Sequence, residues 1–197
     1  MIVVTSPTPV NKEAAIINAM FDNGLELLHI RKPDATVQEV RLLIGGIDSR
    51  NYQQLALHQY HEIAFDYGIN RLHFKEAERL NQCERQLNSL KQNGYMLSTS
   101  VHSWESYETL TPTFCYAFIG PVFNSISKEG YNAMKYIELD SNNSVKRIAI
   151  GGISKEKLNS KILKAFDGVA VLGAIWLSDE PLNEFKLLQQ KWITTDL

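Results

Sequence analysis

Ile2-Val3-Val4-Thr5-Ser6-Pro7-Thr8-Pro9 decides between two architectures. Three apolar β-branched residues bounded by turn formers have the length of a short buried strand. An open doubly wound sheet with a nucleotide site needs glycines in the turn after its first strand. This turn has two prolines and no glycine, so that architecture loses its anchor. Seven further runs follow: Leu25–Ile30, Gln54–Leu57, Arg71–Phe74, Met96–Val101, Cys115–Ile119, Arg147–Ile150 and Gly168–Leu172. Between them lie segments with helical spacing. One runs from Lys12 to Phe21, with Ala14, Ile17 and Phe21 on one side. Val37, Val40, Leu43 and Ile44 form a second; Leu158, Ile162 and Leu163 a third; Leu182, Phe185, Leu188 and Trp192 a closing helix. Eight strands alternating with helices imply βαβ units and a parallel sheet. The 197 residues allow roughly 25 per unit, enough for one strand, one helix and tight loops. The expected fold is therefore α/β, a single (β/α)8 TIM barrel spanning residues 1–197 as one domain.

Composition narrows the function classes. Twenty Lys and Arg against 22 Asp and Glu give a net charge of −2, whereas nucleic-acid binders usually carry a basic excess. No apolar run approaches the roughly 18 residues of a membrane span. The start, Met1-Ile-Val-Val-Thr-Ser-Pro, shows neither the charged nor the long apolar region of a secretory signal. Cys83 and Cys115, 32 apart, form neither a metal pair nor a redox motif and suit a reducing compartment. A cytoplasmic location is the expectation.

In such a barrel, reactive groups sit at the C-terminal ends of strands and in the loops beyond. Ile148-Ala-Ile-Gly151-Gly152-Ile153 runs a strand into two glycines, with Ser154 placed to cap a helix. Glycines admit an anion close to the backbone, and a helix N-terminus points free N–H groups at it. Gly173 offers a similar turn after strand eight. The same glycines would also serve as plain tight βα turns. His29 and Arg31 alternate toward one face, and an arginine fork suits phosphate, although an internal ion-pair layer would explain Arg31 equally. Ser100 and His102 share a face at the end of strand five. A histidine there can move protons near neutral pH, or it can be a solvated residue before Ser103. Gly120-Pro-Val-Phe-Asn-Ser125-Ile-Ser127-Lys128 reads as a ligand clamp or a surface loop. His58-Gln-Tyr-His61-Glu62 could contribute to a zinc site, but no third ligand is set by spacing; an exposed start of helix three is the plainer reading. His73 stays unassigned between barrel wall and mouth.

These residues, in this order, resemble the thiamin phosphate synthase / TenI superfamily: Ser100-Val-His102, the Gly-Pro-Val-Phe loop ending in Lys128, Ala149-Ile-Gly-Gly-Ile153, and Gly168-Val-Ala-Val-Leu. The likeness runs from strand two to the last helix and implies a (β/α)8 barrel. The synthases join a pyrimidine pyrophosphate to a thiazole phosphate, with Mg²⁺ held by two aspartates after strands three and four. Here Gln59 stands at the first aspartate and Glu78 at the second. The pyrophosphate-gripping Gln-Leu-Arg-Glu-Lys becomes His29-Ile-Arg31-Lys32-Pro33, and the two threonines of the hydroxyl loop become Ser125 and Ser127. TenI proteins relocate a proton on a thiazole carboxylate phosphate without a metal. Leu28-His-Ile-Arg31 and Ser100-Val-His-Ser103 resemble that branch.

The resemblance therefore implies thiamin biosynthesis, with TenI-like thiazole tautomerisation as the first reading. His102 would shuttle the proton while Arg31 and Ser100 orient the substrate. His29, Lys32, Ser125, Ser127, Lys128, Gly151, Gly152 and Gly173 would bind the substrate and its phosphate, with no cofactor. The second reading is a Mg²⁺-dependent synthase, Glu78 holding the metal. The third is an inactive barrel that binds thiamin precursors. The partners expected are a small thiazole phosphate and, for a synthase, a pyrimidine pyrophosphate, with no nucleic acid or membrane; monomer or homo-oligomer stays open.

Overall fold

The computed structural model describes residues 1–124 and 143–195. Ser125, Ser127 and Lys128 lie outside the described residues. Eight strands close into a barrel in sequence order: β1 (Ile2–Val4), β2 (Leu28–Ile30), β3 (Leu55–Leu57), β4 (Arg71–Phe74), β5 (Met96–Val101), β6 (Phe114–Ile119), β7 (Lys146–Ile150) and β8 (Gly168–Val171). Every pairing is parallel, and β1 closes the ring against β8 with Ile2 opposite Ala170 and Val3 opposite Val171. The expected (β/α)8 barrel is the fold, and all eight strand runs are where the apolar pattern places them. No helix among the described residues is long and apolar enough to cross a membrane.

The helices are α1 (Glu13–Asp22), α2 (Val37–Gly45), α3 (Glu76–Leu80), α4 (Glu84–Gln92), α5 (Trp104–Glu108), α6 (Gly173–Trp176) and α7 (Pro181–Thr195). Thr36 and Glu39 start α2 with a reciprocal capping box, which satisfies two otherwise unpaired N–H groups. Pro181 opens α7, where its missing N–H costs nothing. Two helical expectations are corrected. After β3 the chain makes 3-10 turns, His61–Ile63 and Phe65–Tyr67, in place of a third helix. After β7 the Leu158–Leu163 spacing yields turns and a 3-10 segment, Lys161–Ala165. Leu158 and Leu163 are nevertheless buried. Asn159 and Ser160 sit between them, and such side chains compete with the helix for backbone hydrogen bonds. Spacing thus located the core positions there but not the backbone path.

Strand alternation divides the apolar interior in two. Outward-facing strand residues pack with the helices into one large core that includes Val3, Leu28, Leu57, Leu97, Val169 and Phe185. Inward-facing Ile2, Val4, Tyr116, Phe118, Ile148 and Ala170 form a second cluster inside the ring. The rest of the ring interior is polar, filled by His29, His58, His73 and Ser98, all buried.

One buried ion pair ties the β2 loop to α1. Lys32 Nζ donates to both Glu13 carboxylate oxygens, at 2.8 and 2.6 Å, and to the Thr8 carbonyl at 3.0 Å. Burial holds the Glu13 carboxyl above its ordinary pKa even with the ammonium beside it. Removing one partner of a buried pair costs about 3–5 kcal/mol, whereas replacing both by apolar groups is often near neutral. Lys32→Ala should therefore lower the urea-denaturation free energy by an amount in that range. The double variant Glu13→Leu, Lys32→Met should recover most of the loss.

Candidate functional site

The C-terminal ends of the strands enclose a cavity of about 810 Å³, lined among others by Arg31, His58, Lys75, Ser100, His102, Gly151, Gly152 and Gly173. Its volume suits a drug-sized ligand. Six of the residues expected from sequence to face a ligand, Arg31, Ser100, His102, Gly151, Gly152 and Gly173, are thus brought to the walls of a single mouth.

His102 stands exposed at the rim, just beyond β5. Its Nδ1 lies 2.9 Å from the Gly120 carbonyl oxygen. A carbonyl can only accept, so Nδ1 carries the proton and the neutral ring keeps Nε2 as a basic nitrogen. Gly120 is held in place from the other side. A side chain there would bring its Cβ to 2.1 Å from the Ile150 carbonyl. The Val122 and Phe123 amides donate to the Ile150 and Gly151 carbonyls at 2.9 and 3.1 Å. The β6–β7 pairing therefore continues past the strands and fixes the carbonyl that orients His102.

Gly151 and Gly152 line the cavity and also clamp this loop. Both have positive φ, +96° and +65°, and a Cβ would lie 2.7 Å from Pro121 or from the Asn124 carbonyl. The tight-turn and anion-cradle readings of Gly-Gly are both compatible with this arrangement. Ser154 caps no helix; its hydroxyl donates to Glu156 at 2.7 Å. Gly173 opens α6, whose first amides have no acceptor within the helix. The Trp176 indole N–H donates to the Val4 carbonyl at 2.7 Å and pins this short helix to β1.

Three expected contacts are redirected. Lys32 turns away from the mouth into its Glu13 pair, because a buried ammonium is held where carboxylate oxygens surround it. His29 is fully buried, one layer below Arg31 on the same face, and so lies beneath the cavity. Glu78 accepts from the Lys75 amide at 3.1 Å and pairs with the Lys75 ammonium at 3.1 Å. It caps α3 and does not line the mouth.

The Mg²⁺ that a synthase would use therefore finds a poor set of ligands in the residues present. The Gln59 side chain spends its amide on the Lys32 backbone, accepting from its N–H at 3.3 Å and donating to its carbonyl. The carboxylate that does line the cavity is Glu76, with Arg79 at 3.7 Å and the Lys75 ammonium also on the wall. A magnesium ion binds through carboxylates and substrate phosphates. Here one carboxylate is flanked by cations, and no opposed second carboxylate meets it among the described residues.

Below the mouth, sequence reasoning missed a network. His29 Nδ1 lies 2.8 Å from His58 Nε2, and His29 Nε2 lies 2.6 Å from the Tyr116 hydroxyl. His73 bonds Ser98 through Nδ1 at 2.9 Å and Ser100 through Nε2 at 2.8 Å. Phe118 covers the rings, its centroid 4.6 Å from His29 and 4.9 Å from His73. Ligand nitrogens of His29, His58 and His73 lie within 4.8 Å of one another, as a metal site would need. The geometry opposes that use. His58 and His73 stack with centroids 4.0 Å apart at 23°, so their in-plane lone pairs run side by side and do not converge. Both His73 nitrogens are already engaged by hydroxyls. A histidine at or near the end of each of strands two, three and four was the available signal, once alternation put all three on the inner face.

These imidazoles are neutral. Burial, aided by the charge of Arg71, pushes His29 down to about 3. Burial, with the neighbouring rings and cations, holds His58 and His73 well below the ordinary range. The unfolded chain takes up protons at histidine near pH ~6.5 while the folded one does not, so unfolding free energy must rise with pH across this window. Stability should be flat above about pH 7 and fall steadily as pH drops from ~6.5 toward 3, measured by urea midpoints. His29→Gln should flatten that slope.

The chain matches the family model described as thiamine monophosphate synthase (TMP-TENI) over residues 1–175. It is 26% identical over 194 residues to a thiamine-phosphate synthase of Proteus mirabilis (strain HI4320), covering 92% of this chain and 87% of that protein. Two solved structures share the fold. A thiamine phosphate pyrophosphorylase from Bacteroides thetaiotaomicron has TM-score 0.71 and 21% identity, over 97% of this chain and 96% of its own. One from Pyrococcus furiosus has TM-score 0.73 and 17% identity, over 98% and 95%. With the barrel, the glycine turns and the match across most of its length, this chain belongs to the thiamine monophosphate synthase family.

Proposed function

We propose that this protein binds a phosphorylated thiazole in the barrel mouth and relocates a proton on it without a metal. The observation that carries the reading is His102. Its Nδ1 proton is committed to the Gly120 carbonyl, which leaves Nε2 as a base at a cavity wall shared with Ser100 and Arg31. A proton transfer needs a base of pKa near the working pH held beside the reacting atom. Expelling pyrophosphate needs strong neutralisation of departing charge, and the positions a synthase would use for Mg²⁺ are taken up by Gln59 and Glu78 in other bonds. The first amides of α6 at Gly173 and the Gly151-Gly152 turn would hold the phosphate, and Arg31 would orient the ring's acidic substituent.

The synthase is the second reading, and the names of the relatives favour it. One incubation separates the two. Purified protein is given thiazole carboxylate phosphate alone, or thiazole phosphate with hydroxymethylpyrimidine pyrophosphate, each with Mg²⁺ or with EDTA, and products are identified by mass and ultraviolet spectrum. Proton relocation that survives EDTA and falls by on the order of 10²–10⁴ in His102→Ala supports the first reading. Coupling that disappears in EDTA overturns it in favour of the second. Binding without turnover of either substrate set is the outcome expected of an inactive barrel and overturns both.

Gly173 gives a test of the phosphate seat that spares the fold. A Cβ there meets only the Leu177 side chain at 3.6 Å, an ordinary contact. Gly173→Val should weaken thiazole phosphate binding about tenfold or more by crowding the amides. Its thermal midpoint should match that of the parent, and calorimetric titration reads the difference.

A further inference from the structure

We infer that the buried side chains of the barrel interior form a proton relay joining two points of the cavity wall, Ser100 and His58. Both residues line the cavity. Between them the contacts run Ser100 to His73 at 2.8 Å and His73 to Ser98 at 2.9 Å. Ser98 and Tyr116 are register partners across β5 and β6, which sets the serine hydroxyl and the phenol on the same inner face of adjacent strands; the relay closes through this pair, and the Ser98 hydroxyl also has the Leu72 carbonyl at 3.4 Å. The line continues from Tyr116 to His29 at 2.6 Å and from His29 to His58 at 2.8 Å. Each member can both donate and accept, because a neutral imidazole offers one N–H and one lone pair and a hydroxyl offers both.

Such a chain has two polarities. In one, Ser100 donates inward to His73, every later group donates to the next, and His58 presents its Nδ1 proton to the cavity. In the other, His58 donates to His29 and Ser100 presents its hydroxyl proton. A proton accepted at the Ser100 oxygen, one O–H forming there, moves each intervening proton one step. The His58 Nδ1–H bond then breaks and that proton is released. Every group ends neutral, both serines and Tyr116 keep one O–H, and each imidazole has changed tautomer. The reverse passage restores the first polarity. No metal or oxidant enters the balance.

The surroundings suit transfer along the chain. Phe118 packs over His29, His58 and His73, with centroids 4.6 to 6.2 Å away, and Ile2, Val4, Ile148 and Ala170 fill the opposite side of the ring. Water is thereby kept from the intermediate groups. Burial pushes Tyr116 up to about 12, so the phenol keeps its proton as the imidazoles keep their neutrality. The relay deepens the proposed function and rests on it for its substrate. His102 follows Ser100 by two residues, just beyond β5, and lines the same cavity, so a proton collected at that side can be returned to the heterocycle at the His58 side.

The test uses full-length protein and separates the relay from the substrate. In ¹⁵N spectra at pH 7, the relay predicts His29, His58 and His73 ring shifts averaged between the two neutral tautomers. Tyr116→Phe, which deletes one hydroxyl and keeps the ring, should lock them into single tautomers; Ser98→Ala does the same should that variant not fold. With thiazole carboxylate phosphate, Tyr116→Phe should lower kcat about tenfold or more at unchanged KM. It should also turn a curved proton inventory in H₂O/D₂O mixtures into a linear one. Tautomers already locked in the parent protein, or a Tyr116→Phe variant with the parent's kcat and curved inventory, overturn the relay. Averaged tautomers in a protein that does not turn over this substrate support the relay and overturn only the proposed function.

Discussion

Closing eight parallel strands leaves half of their side chains inside a ring that water does not enter, and every polar group placed there must find a partner in its neighbours. In this protein that constraint governs the interior of β2 to β6. There His29 bonds His58 and Tyr116, and His73 bonds Ser98 and Ser100, at 2.6 to 2.9 Å, while the arc formed by β1, β7 and β8 is apolar. The hydrogen bonds are possible because desolvation keeps the imidazoles uncharged. A charged ring at any of these positions would break the alternation of donors and acceptors and face Arg71 or its own neighbours. Neutrality and connectivity are one condition.

The mouth is built on that floor. Register across β6 and β7 continues into Val122 and Phe123, which fixes the Gly120 carbonyl and through it the tautomer of His102. The same loop needs the two glycines after β7, whose conformations leave no room for side chains. His102 at the rim and the Gly151-Gly152 turn are therefore coupled through shared contacts. The side chains that the resemblance would set around a metal or pyrophosphate are engaged within the protein. Gln59 ties the β3 loop to the β2 loop, Glu78 stays with Lys75, and Lys32 is buried against Glu13. Each of these groups is satisfied where it is.

Much of this was legible beforehand. Eight short apolar runs alternating with helical spacing, and the glycine-free first turn, are enough for the barrel, and the ends of strands two, five, seven and eight name Arg31, Ser100, His102 and the three glycines at the mouth. Lys32 and His29 were misplaced for a common reason. Sequence adjacency to Arg31 says nothing about depth along the barrel axis or about which carboxylate lies across the next loop. Read singly from sequence, His58 is a fragment of a zinc site and His73 has no assigned place between wall and mouth. Their meaning depends on each other, since a hydrogen-bonded chain is a property of register between strands far apart in sequence. Tyr116, a large aromatic in an apolar run, carried no polar signal until it was seen opposite Ser98.

Local spacing, then, settles which stretches become strands and which faces they bury, because those outcomes follow from a repeat of two or of about 3.6 residues. It also settles which end of each strand forms the rim, since the barrel's polarity is implied by its parallel pairing. Partner choice is another matter. The helices after β3 and β7 were replaced by turns, Glu78 became a cap, and six interior residues found their partners only through contacts spanning 25 to 87 positions. Their energies depend on distances of a few tenths of an ångström in a dry interior, and such distances exist only after the ring has closed.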